Sequence, residues 1–96
     1  MKIDFLEIAQ QEFDEAITYH ESQVPNLGQA FLAEVLTSLN LISRYPNVGH
    51  PLSTNTRRCR LSRFPYGLIY QASETEILII AVAHLHRRPN YWGERI

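Results

Sequence analysis

Residues 58–83 read RCRLSRFPYGLIYQASETEILIIAVA, and this stretch decides the fold of the chain. Polar and apolar residues alternate over Arg58–Ser62, which predicts a strand with one buried face and two arginines on the other. The aromatic and β-branched residues of Tyr66–Gln71 predict a second strand. The third segment, Ile77–Ala83, is apolar without alternation, which is typical of a central strand covered on both faces.

The segments around these strands have the composition of turns. Phe64-Pro65 reverses the chain after the first strand, and Ala72–Thr75 closes a hairpin between the other two. Residues 45–56 collect Pro, Gly, Asn, Ser and Thr without periodicity, so we expect one long loop there. Near the start of the chain, Ile3–Leu6 predicts one further strand.

Two helices are predicted between that first strand and the long loop. Over Ile8–Glu21, apolar residues recur at helical spacing along one stripe, and acidic residues occupy the other face. Pro25 ends the pattern, and Asn26 can cap the helix that follows. A second apolar stripe begins at Leu27 and continues until Tyr45-Pro46. Because the connection is short, the two helices form an antiparallel hairpin whose stripes face a common partner.

The predicted order is β-α-α-β-β-β. This is an α+β fold in which the helical hairpin packs on one face of a small, mostly antiparallel sheet. Ninety-six residues are enough for one core, so we expect a single domain over residues 1–96. The hairpin covers only one face of the sheet. The other face is either packed by the tail Pro89–Ile96 or left for a partner.

Composition excludes several classes of protein. With 45% hydrophobic and 20% charged residues, the chain is globular rather than disordered. Its longest uncharged apolar run, Ile77–Ala83, is far shorter than the ~20 residues of a membrane-spanning helix. Asp4 and Glu7 do not fit a secretory signal, and the single Cys59 cannot form an internal disulfide. We therefore expect a cytoplasmic protein in which Cys59 is a small core residue rather than a nucleophile.

The charge is distributed unevenly along the chain. Residues 1–50 carry two basic and seven acidic residues, whereas residues 51–96 carry seven arginines and three glutamates. Arginine makes planar, bidentate contacts with phosphate and carboxylate groups, so this asymmetry predicts an anionic partner. Arg58 and Arg60 share one strand face, with Arg57 and Arg63 beside them. The alternative is that the acids only solvate a helix face and the arginines a sheet face.

Five motifs span nearly the whole chain. They are ExxxA at residues 12–16, LGxxFxxEV at 27–35, PxxG at 46–49, RRxxLxRFPYxLxY at 57–70 and AVAHxxRxPxYW at 81–92. The last two are the most specific. In these motifs the chain resembles the RelE/ParE superfamily of toxins from bacterial type II toxin-antitoxin systems, and it lies closer to the ParE-like branch.

The resemblance implies a small cytoplasmic toxin that is held inactive by a cognate antitoxin, whose C-terminal segment wraps around it. That expectation agrees with an anionic partner and with a sheet face that the helices do not cover. No cofactor is expected. His84 and His86 could both face a metal ion, but no third ligand is close in sequence, so no metal site is predicted.

One branch of the superfamily cleaves mRNA on the ribosome, which requires a base, an acid and cations that stabilise the phosphate. Its basic cluster maps onto Arg58, Arg60 and Arg63, and its C-terminal aromatic onto Tyr91. The lysines common in that branch are absent, and Arg87 lies two residues from the aligned position. A histidine could supply the missing base or acid. The catalytic candidates under this hypothesis are Arg58, Arg60, His84, His86, Arg87 and Tyr91.

The ParE-like branch poisons DNA gyrase by binding, without chemistry of its own. A net charge of −1 favours this branch, because a toxin that binds among ribosomal phosphates gains from a basic surface.

Tyr91 and Trp92 follow Pro89, where strand packing does not direct them, whereas Tyr66 and Tyr70 are expected to be packing residues. The residues expected to bind target or antitoxin are Arg57, Arg58, Arg60, Arg63, Arg87, Arg88, Tyr91 and Trp92. A third possibility is an inactivated relative that only binds its partner.

Overall fold

The computed structural model describes all 96 residues and places two helices on one face of a five-stranded sheet. The strands are β1 (Lys2–Phe5), β2 (His50–Pro51), β3 (Arg57–Arg60), β4 (Tyr66–Ala72) and β5 (Glu76–His84). The helices are α1 (Glu7–Gln23) and α2 (Leu27–Arg44), and a short 3₁₀ helix covers Gly93–Arg95. The predicted α+β fold and the order of its elements are confirmed. None of the helices has the length and apolarity required to cross a bilayer.

The strands lie in the order β1-β5-β4-β3-β2. β1 runs parallel to β5, and every other neighbouring pair is antiparallel. The sequence does not predict β2, which pairs His50 with Arg58 and Pro51 with Arg57 inside the expected loop. A strand of two residues is too short to show a periodic pattern, so only its pairing with β3 defines it.

The connection between the helices corrects one expectation. Asn26 adopts a left-handed conformation with φ of 71° and makes no side-chain cap. Instead, the Glu21 carboxylate of α1 accepts hydrogen bonds from the backbone N–H groups of Asn26 (2.9 Å) and Gly28 (3.0 Å). The Gly28 N–H in the first turn of α2 is thus satisfied by a side chain of the preceding helix, and the Leu27 N–H donates to the Val24 carbonyl.

The two helices and the sheet enclose an inner cluster of 15 buried residues. The largest fully buried side chains in it include Phe31, Leu68 and Tyr70. Cys59 belongs to this cluster, as predicted, and burial raises the pKa of its thiol. Tyr66 and Tyr70 also pack here, and the Tyr70 hydroxyl donates to the Pro46 carbonyl. The inner cluster is therefore a continuous aromatic and aliphatic core.

The opposite face of the sheet carries an outer cluster of five buried residues: Ile69, Ile80, Ala81, Ala83 and Trp92. Ile69 pairs with Ala81 whereas Tyr70 pairs with Ile79, so Ile80 is an extra residue in β5. This bulge places two successive residues, Ile80 and Ala81, in the outer cluster and removes the alternation of the strand. The predicted covering of β5 on both faces is confirmed, and the tail contributes to it through Trp92.

Candidate functional site

A pocket of about 190 Å³ lies on the outer face of the sheet, against the C-terminal tail. Three arginines and one histidine line it, and no acidic residue does. The outer cluster contributes apolar side chains to its lining, including Trp92. The pocket brings together six of the residues predicted from the sequence: Arg58, His84, Arg87, Arg88, Tyr91 and Trp92.

Arg58 reaches this pocket from β3 by crossing Gly67 of β4. A Cβ atom on Gly67 would lie 2.9 Å from Cγ and 3.0 Å from Cδ of Arg58, so the glycine provides room for the arginine side chain. The Arg58 Nε is buried and has no hydrogen-bond partner, and the side chain forms no ion pair. An unsatisfied buried donor is costly and uncommon, so the Arg58 guanidinium group has hydrogen-bonding capacity that the chain itself does not satisfy.

The tail that bounds the pocket is held by Glu12 of α1. The Glu12 carboxylate accepts bonds from both terminal nitrogens of Arg95, at 2.8 and 2.9 Å. It also accepts a bond from the Tyr91 hydroxyl at 2.8 Å and contacts Arg87 at 3.5 Å. The side chains of Glu12 and Arg95 are only 14% and 13% exposed. One mostly buried carboxylate therefore ties Arg87 and two residues of the tail, Tyr91 and Arg95, to the first helix.

The same ion pair completes the hydrogen bonding of β5. β1 ends opposite Ile79, so the rest of β5 has no strand on that side. There, the backbone N–H of Val82 donates to Glu12 Oε1 at 3.0 Å, and the carbonyl of Ile80 accepts from Arg95 Nη1 at 3.1 Å. Glu12 and Arg95 thus satisfy backbone groups next to the bulge that would otherwise lack a partner.

Tyr91 is fixed between two guanidinium groups. The Cζ atoms of Arg87 and Arg95 lie 3.7 and 5.1 Å from the centroid of its ring. Burial, and then the hydrogen bond to Glu12, raise the pKa of Tyr91 far above its ordinary value. Its ring and its hydroxyl are both occupied within the protein.

His84 is held at the end of β5. Its Nδ1 accepts a hydrogen bond from the backbone N–H of His86 at 3.1 Å, and its ring stands edge-on to Tyr66 at 5.0 Å. Desolvation, followed by the nearby His86 and His20, lowers the pKa of His84. His86 itself is exposed and does not line the pocket. No group of three or more His, Cys, Asp or Glu side chains is placed to hold a metal ion.

Three of the predicted arginines lie outside the pocket. Arg57 donates to the carbonyl oxygens of Asn47 and Gly49 and so fastens the loop before β2. Arg63 pairs with Glu34 of α2 at 3.2 Å. Arg60 is exposed and forms no ion pair. The basic face predicted from the sequence is therefore divided. Arg57 and Arg63 bind other parts of the protein, whereas Arg60 has no ion pair.

The expectation that Tyr91 and Trp92 are undirected in the tail is wrong. Trp92 is only 8% exposed and packs with Ile69 and Ala83 in the outer cluster. The tail is short, but the apolar face of the sheet and the Glu12 carboxylate fix both aromatic rings. Trp92 lines the pocket, where it can contact a ligand.

Glu12 and Arg95 are absent from the residues predicted for the site, although Glu12 belongs to the first motif. A signal for Glu12 exists in the sequence, since it lies three residues after Ala9 and four before Ala16 on the buried stripe of α1. An acid in an apolar stripe requires a cationic partner. Nothing local points to Arg95, which is 83 residues away.

The model of a family described as "ParE toxin of type II toxin-antitoxin system, parDE" matches residues 3–89. A search of curated protein sequences gave no match.

A solved structure has a similar fold. It is titled "Chromosomal ParDE TA system from P. aeruginosa" and superposes with a TM-score of 0.75 at 14% sequence identity. The match covers 90% of this chain and 97% of that one. At this identity the likeness establishes the fold alone.

Proposed function

Because the chain belongs to the ParE toxin family of type II toxin-antitoxin systems, we propose that it inhibits DNA gyrase by binding and is neutralised by a cognate antitoxin. One observation carries this proposal. The two side chains of the pocket that are best suited to proton transfer are engaged within the protein. A toxin that acts by binding needs neither a free acid nor a free base.

His84 is a poor general base in this arrangement. Its Nδ1 accepts the His86 N–H, so the neutral ring carries its proton on Nε2. The lowered pKa of His84 favours this neutral form at pH 7. To accept a proton at Nδ1, the ring would first have to release the backbone. A neutral imidazole is also a weak proton donor at Nε2.

Tyr91 is equally unsuited to proton transfer. Its hydroxyl donates to Glu12 Oε2, and the raised pKa of Tyr91 keeps the phenol protonated at pH 7. The Arg87 guanidinium lies over its ring, which is therefore not free to stack on a base. These engagements support binding rather than RNA cleavage.

The charge of the chain also supports gyrase over the ribosome. A net charge of −1 gives little electrostatic gain among ribosomal phosphates. Gyrase acts in the cytoplasm, so the proposal places the toxin there as well.

For the antitoxin, we assign the arginines without an ion pair. Arg60 and Arg88 are exposed, and Arg58 and Arg88 line the pocket. Carboxylates of the antitoxin would meet this surface and neutralise it. Arg57 and Arg63, whose guanidinium groups bind loop carbonyls and Glu34, contribute less to that contact.

The ribosome-dependent endoribonuclease is kept as a second candidate on a specific observation. The pocket gathers Arg58, His84, Arg87 and Tyr91, which are four of the catalytic candidates. In that case the exposed His86 would be the group able to exchange protons, and Arg60 would be a cation outside the pocket.

The test is a pair of assays on purified toxin that has been separated from its antitoxin. Toxin is added to a gyrase supercoiling reaction and to ribosomes programmed with a defined mRNA. We expect supercoiling to stop and the mRNA to stay intact, with His86→Ala equal to the wild type in both. Cleaved mRNA with normal supercoiling would establish the endoribonuclease, and no effect in either assay would indicate a relative that only binds its partner.

A further inference from the structure

We propose that the pocket on the outer face binds a single carboxylate that is carried next to an apolar group, on a peptide segment of a protein partner. The identity of that partner as the antitoxin rests on the proposed function, whereas the chemistry of the pocket does not.

The guanidinium group of Arg58, whose Nε is covered by the protein, selects for an acceptor. Nothing in the chain accepts a hydrogen bond from this atom, and no acidic residue lines the pocket. The two terminal nitrogens of a guanidinium form a planar fork that matches the two oxygens of a carboxylate. Arg88 adds a cation that forms no ion pair, and Arg87 adds one that is only partly neutralised by Glu12 at 3.5 Å.

The remainder of the pocket selects for an apolar neighbour of that carboxylate. Ile69, Ala83 and Trp92 of the outer cluster line it, together with Leu52. Its volume of about 190 Å³ is below the ~300–1,000 Å³ of pockets for drug-sized ligands. It therefore fits one residue of a peptide better than a cofactor or a nucleotide.

The surroundings disfavour a chain of phosphates. On the α1 side, a neighbouring cleft shares His84 and Arg87 with the pocket and is lined by Glu12 and Glu15. A polyanion that passed through the pocket would meet these carboxylates, whereas a peptide with one acid would not. The net charge of −1 likewise provides little attraction for a nucleic acid.

The experiment uses the full chain labelled with ¹⁵N at pH 7. N-acetyl-leucine is the probe, since it joins one carboxylate to one apolar side chain. N-acetyl-leucinamide is the matched neutral probe. The signals to follow are the Arg58 Nε–H and the indole N–H of Trp92, which is the only tryptophan in the chain. We expect saturable shifts of both signals with the acid and at least a tenfold weaker response with the amide.

Two conservative variants test the role of Arg58. Arg58→Lys keeps the charge and most of the stem over Gly67 but removes the guanidinium fork, and we expect at least a tenfold loss of affinity for N-acetyl-leucine. Arg44→Lys makes the same change at an exposed arginine of α2 that does not line the pocket, and it should alter that affinity less than twofold. The dispersion of the backbone amide signals in both variants verifies folding.

Three outcomes would overturn the inference. The first is equal binding of the acid and the amide, and the second is the absence of saturable binding at Arg58. The third is tighter binding of inorganic phosphate or a short RNA oligonucleotide, which would identify a nucleic-acid site. Supercoiling measured on the same preparation separates the two proposals. Carboxylate binding without gyrase inhibition would contradict the proposed function but not the carboxylate site. Gyrase inhibition without carboxylate binding would contradict the carboxylate site but not the proposed function.

Discussion

The two faces of the sheet are held in different ways. On the inner face, 15 buried residues from both helices, three strands and the segment between β3 and β4 form the core. On the outer face, five buried residues form a small cluster, and the tail above them is tied down by the Glu12 carboxylate. The inner face is held by a large buried apolar area. The tail over the outer face is held mainly by one carboxylate, that of Glu12.

This difference indicates where stability and function reside. A core built from many apolar contacts loses little when a surface group changes, but it loses much when one large side chain is removed. A segment held by one carboxylate is a local unit that can open without unfolding the rest. The pocket is built on that second kind of structure, so its geometry depends on Glu12.

The largest expected effect is on the inner face. Phe31 is fully buried and lies 4.8 Å from the His20 ring and 5.0 Å from the Tyr66 ring. Phe31→Ala should lower the free energy of unfolding by about 3–5 kcal/mol, because it removes buried area and leaves a cavity. Urea denaturation followed by circular dichroism measures this loss.

Leu36→Ala is the matched control, since Leu36 lies on the same helix and is 53% exposed. It should change the free energy of unfolding by no more than about 0.5 kcal/mol. A similar loss in both variants would show that the inner cluster does not carry the stability assigned to it.

A smaller and more local effect is expected on the outer face. Glu12→Gln keeps the shape of the side chain but places an amide NH₂ group against the donors of Arg95 and Tyr91. Arg95 is then a mostly buried charge without its carboxylate, and we expect a loss of about 1.5–3 kcal/mol. Hydrogen exchange should accelerate at the Val82 amide and through the tail while amides of the inner cluster stay protected.

Glu15→Gln provides the control for that variant, because Glu15 is an exposed acid on the same helix. It should leave both exchange and stability unchanged. Uniform acceleration across the chain in Glu12→Gln would mean that the outer face is not an independent unit, and unchanged exchange in the tail would mean that Glu12 does not hold it.

The smallest expected effect is the contribution of His84, which lines the pocket, to the pH dependence of stability. The pKa of His84 is lowered from 6.5 in the folded protein, mainly by desolvation. As the pH falls below 6.5, the unfolded chain binds a proton at this residue before the folded chain does, so stability decreases. Urea denaturation between pH 7 and pH 5 should show this decrease, and His84→Gln should make it shallower. An unchanged slope in that variant would exclude His84 as its source.

Much of the fold could be predicted because the inner face follows local rules. The stripes of α1 and α2 have helical spacing, and β3 alternates, so each element carries its own signal. β2 could not be predicted, because two residues have no period. The prediction that Asn26 caps α2 is wrong, because a cap is predicted from the residue directly before a helix. The carboxylate that accepts these hydrogen bonds belongs to Glu21, on the preceding helix.

The site was predictable only in part. The motif at residues 81–92 contains most of the residues that line the pocket. The structure brings Arg58 to them across Gly67. The position of the tail depends on a pairing between Glu12 and Arg95, two residues at opposite ends of the chain. No local pattern contains that pairing, so Tyr91 and Trp92 could not be oriented from the sequence.

The use of Glu12 and Arg95 in place of a longer β1 also affects how the sheet meets other strands. Exposed strand edges invite pairing between molecules and aggregation. Here the β5 edge beyond Ile79 is occupied by two charged side chains, and the opposite edge is a two-residue strand that ends in Pro51, which has no N–H to donate. Little backbone is left for pairing at these two places, so a foreign strand would find a free edge chiefly along β1 (Lys2–Phe5), which pairs with β5 on one side only.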